Sequence, residues 1–266
     1  LANGFRYSVG VALSDDKAKV VSYPSNPTNK IGDGVLYKGY TVGDIWGYVT
    51  GGILQEGDFD GVGANGKPLY HGPYFKGGQA YPGYIWYQDL DHDGVITTGL
   101  NTVDDPGDRK VIGNNAPRYR YNITANFQYK GFDLDLMFQG VGKRDYWLSS
   151  TSSYWGNGAG SWEVYNNSWT PERTDAKFPM YGSGTGSYPQ TGYLLDASYI
   201  KLKQVILGYT FPRALINKIG LEKLRLNLAA YNLFTISDMP KYYDADYLSD
   251  AYPPKRTFSV GIQVGF

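Results

Sequence analysis

Residues 256–266 read R-T-F-S-V-G-I-Q-V-G-F, with Phe258, Val260, Ile262, Val264 and Phe266 on one parity and Thr257, Ser259, Gly261, Gln263 and Gly265 on the other. Successive side chains of a strand point to opposite faces, so this stretch has one apolar and one small or polar stripe. That is the pattern of a strand that crosses a membrane in a β-barrel wall, facing lipid on one side and a wet lumen on the other. A strand of a soluble sandwich can alternate in the same way, so the reading depends on recurrence. The pattern recurs: Tyr119, Tyr121, Ile123, Ala125, Phe127 and Tyr129 alternate with Arg120, Asn122, Thr124, Asn126 and Gln128, about the length a tilted strand needs to cross a bilayer. After a Lys130-Gly131 turn, Phe132, Leu134, Leu136 and Phe138 oppose Asp133, Asp135 and Gln139. Leu224, Leu226, Leu228 and Ala230 likewise oppose Arg225, Asn227 and Tyr231. Strands of soluble cores average about five or six residues, so these long two-faced runs favour a barrel wall.

Composition narrows the alternatives. The chain has 266 residues, 42% of them apolar, with 25 basic side chains against 25 acidic ones. A neutral chain without a basic stripe gives no electrostatic case for nucleic acid. It has no cysteine, so disulfide scaffolds and thiolate metal sites are excluded. Its only two histidines, His71 and His92, leave little for imidazole catalysis. No apolar run is long enough for a transmembrane helix, a test that alternating barrel strands escape. The 35 glycines, 26 tyrosines and six tryptophans suit barrel rims, bulges and long surface loops. Phe5, Tyr7, Val9, Val11 and Leu13 already alternate with Arg6, Ser8, Gly10 and Ala12, and the start lacks a signal-peptide pattern. The expectation is a piece of a longer protein.

Strands are predicted near 5–13, 17–23, 45–53, 83–88, 117–129, 132–143, 198–211, 222–235 and 256–266. A short helical turn is expected at 214–219. Between Leu202 and Val205 the apolar parity switches, which calls for a β-bulge near Lys203-Gln204. The connections are unequal, with a tight turn after Tyr129 and long Gly-, Ser- and aromatic-rich segments elsewhere. Long loops on one side and short turns on the other are the habit of outer-membrane barrels. The fold class predicted is therefore all-β: a partial transmembrane antiparallel barrel domain over 1–266, with long extracellular loops at about 54–116, 144–197 and 236–255.

The sharpest local motif is Asp89-Leu90-Asp91-His92-Asp93-Gly94-Val95-Ile96. Carboxylates at loop positions 1, 3 and 5, a turn glycine and a following backbone carbonyl are what a hard cation needs to be wrapped in oxygen. Leu100 stands where an EF-hand has its closing Glu, leaving Asp104, Asp105 or Asp108 to complete the shell. The ligand set expected is Asp89, Asp91, Asp93, the Val95 carbonyl and Asp108 around a structural Ca²⁺; a solvated acidic turn is the alternative. Two loops are crowded with aromatic residues, from which Tyr84, Trp86, Tyr154, Trp155 and Trp162 are the candidates for contact with a ligand or partner. Packing of the loops on themselves, or placement at the membrane interface, is the alternative. Asp133 and Asp135 lie two apart on a strand and wet the lumen; with no His, Lys or nucleophile beside them they do not make an acid/base pair. No catalytic set or organic-cofactor motif emerges, so the protein is not expected to be an enzyme.

Several of these stretches together carry a family resemblance. Residues 87–96, the run Asp108-Arg109-Lys110-Val111-Ile112-Gly113-Asn114, Tyr129-Lys130-Gly131-Phe132-Asp133-Leu134, Phe138-Gln139-Gly140-Val141-Gly142, Ser198-Tyr199-Ile200-Lys201-Leu202-Lys203 and Tyr231-Asn232-Leu233-Phe234-Thr235 resemble the C-terminal barrel of SusC/RagA-type TonB-dependent transporters. The resemblance runs from about residue 35 to the end. It implies part of a 22-stranded barrel in the outer membrane of Bacteroidetes, whose plug and TonB-binding part are not in this chain. It further implies a SusD-like surface lipoprotein partner and uptake of glycans or peptides driven through TonB. A terminal aromatic such as Phe266 resembles the signal read by the outer-membrane assembly machinery. The reading that competes with it is a secreted Ca²⁺-dependent carbohydrate-binding β-protein, suggested by the acidic and aromatic loops but not by the long two-faced strands.

Overall fold

The computed structural model describes residues 4–32, 34–148, 162–241, 243–248 and 254–266. The chain divides into two compact units, Leu1–Asp16 with Pro117–Arg144 and Asp196–Phe266, and Lys17–Ala116 with Asp145–Leu195.

The first unit is a six-stranded sheet: β1 (Arg6–Ser14), β2 (Arg118–Tyr129), β3 (Phe132–Lys143), β4 (Tyr199–Thr210), β5 (Lys223–Ile236) and β6 (Thr257–Gly265). Each strand pairs antiparallel with its sequence neighbour, so the order in space is the order in the chain. The registers bring the apolar stripes into line. Tyr7, Phe127, Leu134, Leu207, Leu228 and Val260 form one cross-strand row, and Val9, Ala125, Leu136, Val205, Ala230 and Phe258 the next. On the other face, Arg6, Gln128, Asp133, Gly208, Asn227 and Gly261 share a row. A slip of one residue in any pair would exchange the faces of that strand, so the aligned stripes fix the register. The apolar face is open: Val11 is 71% and Val260 77% exposed. A contiguous apolar surface of this size is foreign to a soluble monomer.

The predicted bulge is present. Leu202 faces Phe138 while Gln204 faces Met137, so Lys203 is extra with respect to β3. Leu202 and Val205 thereby both keep to the apolar face. β2 and β3 are joined by Lys130 and Gly131 with φ of +47° and +88°, a turn whose two positive φ values match the twist of the flanking strands. At Gly131 a Cβ would lie 2.6 Å from the carbonyl oxygen of Thr210, so glycine is required there by space as well as by φ. The β4–β5 connection holds the expected helical turn as Arg213–Ile216 and Asn217–Ile219. Aromatic rings gather at this short-turn end, with Phe132 and Tyr209 4.5 Å apart, Tyr209 and Phe211 4.9 Å apart and Lys130 Nζ 5.1 Å over the Tyr129 ring. Such a belt suits a membrane interface.

The second unit corrects part of the strand assignment. Residues 17–23 form no strand and contribute only an isolated bridge from Lys19 to Thr41. Residues 45–53 and 83–88 are extended but lie outside the six-stranded sheet: Asp44–Tyr48 pairs with Arg109–Asn114, and Thr50–Ile53 with Ile85–Tyr87. They are short and interrupted by Gly47, Gly51 and Gly52, so they cannot cover a bilayer. Tyr48, Tyr87, Ile85, Leu54, Trp169, Phe178 and Tyr193 are buried in this unit, which gives the long connections a core of their own. No helix among the described residues is long and apolar enough to cross a membrane, a statement that does not concern strands.

Ile123 and Thr124 are consecutive on opposite faces, opposite Val11 and Gly10 of β1. Ile123→Arg is expected to cost about 2–4 kcal/mol at the bilayer midplane and to reduce the heat-modifiable folded band of the full-length protein, while Thr124→Arg leaves it near normal. Equal folded amounts for the two variants would contradict the assignment of faces.

Candidate functional site

The loop unit carries the acidic motif, and backbone donors organise it. Asp89 accepts the N–H groups of His92 (2.7 Å) and Gly94 (2.8 Å), while His92 and Gly94 adopt φ of +63° and +86°. Asp91 accepts from Asp93 N–H at 3.2 Å, and Asp93 from Val95 N–H at 2.8 Å. Asp108 is fully buried and splits its oxygens between Leu90 N–H and Thr97 N–H, each at 2.7 Å. These bonds tie both ends of the acidic turn to one carboxylate.

Asp89, Asp91 and Asp108 each offer an oxygen within 4.8 Å of the others. Asp93 stands outside this group of three. Its Oδ1 bond to Val95 makes a local turn instead. Asp105, another candidate to close the shell, accepts Leu100 N–H at 3.1 Å and is likewise outside the group. Partial desolvation pushes the Asp89 carboxyl up, but the Gly94 and His92 N–H groups outweigh it and hold the group below the usual carboxylate range. Asp91 is the reverse: the Asp93 N–H pulls it down, while desolvation and the Asp108 and Asp93 charges raise it overall. Two neighbours thus differ in proton affinity because one has two backbone donors and the other faces negative charge.

The aromatic residues of this unit largely meet one another. Tyr48 and Tyr87 lie 5.0 Å apart, and Phe75 is 5.5 Å from each and 5.1 Å from Tyr188. Gln190, completely buried, donates through Nε2 to Tyr87 Oη at 3.0 Å and to Tyr188 O at 3.1 Å, and accepts from Thr50 Oγ1 at 3.0 Å. Burial drives the Tyr87 hydroxyl far above its ordinary pKa, so it is a neutral packing group. Among the proposed contact residues, Trp86 lies on Gly51, where any Cβ would occupy the place of the ring, and Tyr84 packs 5.2 Å from Tyr81. Trp162 is 75% exposed and stacks on Tyr165 at 5.6 Å. Tyr154 and Trp155 lie outside the described residues.

In the sheet unit, the polar face is organised by ion pairs. Asp133 pairs with Arg225 across Gly208 of the intervening strand, where a side chain would collide with both. Asp135 accepts from Asn126 Nδ2. Sequence reading did not find a second group, formed by Tyr199, Lys201 and Lys203 with Asp244 and Asp246. The alternation of Tyr199, Lys201 and Lys203 with Ile200 and Leu202 hinted at it, but the aspartates lie 43 residues further on, on a segment without strand pattern. Phe266, at the end of β6, is 89% exposed.

No protein-family model matches the sequence. The chain is 28% identical to TonB-dependent receptor P3 of Formosa agariphila over 98% of its own length and 27% of that protein. It is 26% identical to TonB-dependent receptor SusC of Bacteroides thetaiotaomicron over 82% of the chain and 23% of the relative. The fold is shared with solved structures of the RagAB peptide importer. In the closed-closed state the TM-score is 0.63 at 17% identity, with 99% of this chain and 28% of that one covered; in the open-open state it is 0.61 at 19% identity. The chain thus spans about a quarter of the length of the relatives it matches. The resemblance read from the sequence and the all-β barrel-wall fold are both borne out.

Because Asp108 serves two backbone amides, Asp108→Ala is expected to weaken the loop unit by about 1–3 kcal/mol even without calcium. Hydrogen exchange at the Leu90 and Thr97 amides in calcium-free detergent solution should accelerate correspondingly, whereas Asp91→Ala should leave both protected. Unchanged exchange in Asp108→Ala would count against the buried carboxylate as the organiser.

Proposed function

We propose that the chain forms part of the wall and extracellular loops of an outer-membrane, TonB-dependent active transporter that imports glycans or peptides together with a SusD-like surface lipoprotein. The observation that carries this reading is the six-strand register that collects every long apolar stripe on one exposed face. Lipid is the solvent such a face requires. The opposite face, with Asp133 paired to Arg225 and Asp135 bonded to Asn126, suits a hydrated lumen through which polar cargo moves. TonB would act on parts of the transporter outside this chain. The similarity to TonB-dependent receptors supports the class, and the shared fold with the RagAB peptide importer supports the barrel architecture. A secreted carbohydrate-binding protein would have no use for an apolar face of this extent in water.

The test is made on the full-length protein in cells. It should fractionate with the outer membrane, require detergent for extraction, and support growth on its cargo only when TonB is present. Deleting Phe266 should lower the folded amount without changing uptake per folded molecule, because β6 needs a partner on its outer edge in lipid. Recovery in the soluble fraction would refute the membrane reading, and normal assembly of the deletion would refute the role of Phe266.

We further propose that Asp89, Asp91 and Asp108 hold a structural Ca²⁺. The donor set fits: all three offer hard oxygens, and those of Asp89 and Asp108 that already accept N–H bonds keep further lone pairs. The Val95 carbonyl and water would complete the shell. A proton held by Asp91 competes with the cation, so affinity should fall as the pH drops toward the raised Asp91 value, before Asp89 protonates. Isothermal titration of purified protein with calcium should show this loss on acidification and no binding in Asp89→Asn/Asp91→Asn. Equal heats for wild type and double variant would exclude the site.

A further inference from the structure

Lys201 is out of character for its place in the sheet. Its register partners are Gln139 of β3 and Thr235 of β5, which puts it on the polar face. Ser8 and Thr124 on that face are exposed, yet Lys201 is only 1% exposed. The cover comes from the segment that joins β5 to β6. Lys201 Nζ donates to Asp244 Oδ2 at 2.7 Å and Oδ1 at 2.9 Å and stands 3.6 Å from Asp246. Lys203 Nζ donates to Asp246 at 2.6 Å, as does the Tyr199 hydroxyl. Lys201 and Lys203 are two residues apart on the strand and reach the same face, where both stand against Asp246. The segment is also braced internally: Asp244 O accepts Leu248 N–H at 2.8 Å, and Asp244 Oδ1 accepts Asp246 N–H at 2.9 Å. Its Met239, Tyr243 and Ala245 are buried.

We propose that residues 237–241 and 243–248 form a strap folded inward on the lumen wall and locked there by the two lysines, narrowing the mouth of the barrel as a fixed constriction. This rests on the barrel reading above. The strap borders several cavities. One, of about 670 Å³, is lined by Lys201, Asp244, Lys241 and Arg256 among others, and another, of about 480 Å³, by Tyr199, Asp246, Arg120 and Arg144 among others. Cargo entering along this wall would pass these cavities beside the strap. A buried ammonium tolerates loss of its carboxylate partner poorly, so the strap stays docked as long as the lysines keep both aspartates as partners.

The experiment uses the full-length transporter in intact cells and a membrane-impermeant maleimide. Ala245→Cys, 1% exposed in the folded strap, should react at least tenfold more slowly than Tyr247→Cys, whose parent residue is 63% exposed. Adding Asp244→Asn and Asp246→Asn should accelerate labelling of Ala245→Cys at least tenfold and leave Tyr247→Cys unchanged, with the heat-modifiable band confirming a folded barrel. If that combination fails to assemble, Asp246→Asn alone should give a several-fold acceleration. A protonophore should not alter the slow rate, because a fixed constriction does not swing during transport. Fast labelling of Ala245→Cys in the otherwise unaltered protein, indifference to the aspartate changes, or dependence on the protonophore would overturn the strap while Tyr247→Cys still reports surface display. Absence of Tyr247→Cys labelling would overturn the outer-membrane reading, and the constriction with it.

Discussion

Every feature of the sheet depends on a backbone that, in hydrocarbon, can hydrogen-bond only to itself. Each unpaired N–H or C=O there costs several kcal/mol, so a spanning strand must be flanked by strands on both sides. The antiparallel ladder from β1 to β6 meets that demand for its four inner strands. The outer edges of β1 and β6 have no partner strand among the described residues. In lipid those edges require further strands, which is the physical sense in which this wall is part of a larger closed structure. The bulge at Lys203 corrects parity while confining the interruption of the ladder to one position against each neighbour.

The loop unit solves the opposite problem. Its strands are short, so its irregular backbone is organised by side chains rather than by a long ladder. Gln190 does this at the centre, exchanging hydrogen bonds with Tyr87, Tyr188 and Thr50 inside an aromatic cluster. Asp108 does it at the acidic turn by capping Leu90 and Thr97. Both residues are fully buried, and both are acceptable there because their polar atoms are satisfied. Among the described rings that look available for ligand in the sequence, Trp86 and Tyr84 pack within the unit, whereas Trp162 is exposed.

The polar face of the sheet is not merely wettable. Asp133 and Arg225 bridge two strands over Gly208, and Lys201 and Lys203 bind two aspartates of the connecting segment. Glycine and small residues on that face make room for such bridges, while the lipid face carries the bulk. The division of labour follows from solvent: ion pairs are useful where water or other charges can share them and ruinous against hydrocarbon.

What the sequence by itself determined was whatever depends on the two-residue period: the all-β class, the faces of the long strands, the tight turn at Lys130-Gly131 and the bulge near Lys203. These are local consequences of side-chain alternation and of positive φ, and a single strand is enough to express them. Residues 45–53 and 83–88 were legible as extended but not as members of a separate unit, since extension is local and sheet membership is not. In the acidic motif, spacing put Asp89 and Asp91 on one turn and left Asp104, Asp105 and Asp108 as candidates beside them; the fold brought up Asp108 and gave Asp93 a bond to the Val95 N–H. Only the tertiary structure decided the lysine and aspartate lock of the strap, because its partners are 43 residues apart. Contacts of that kind form when a loop folds back on a wall, and no periodicity along the chain records where it lands.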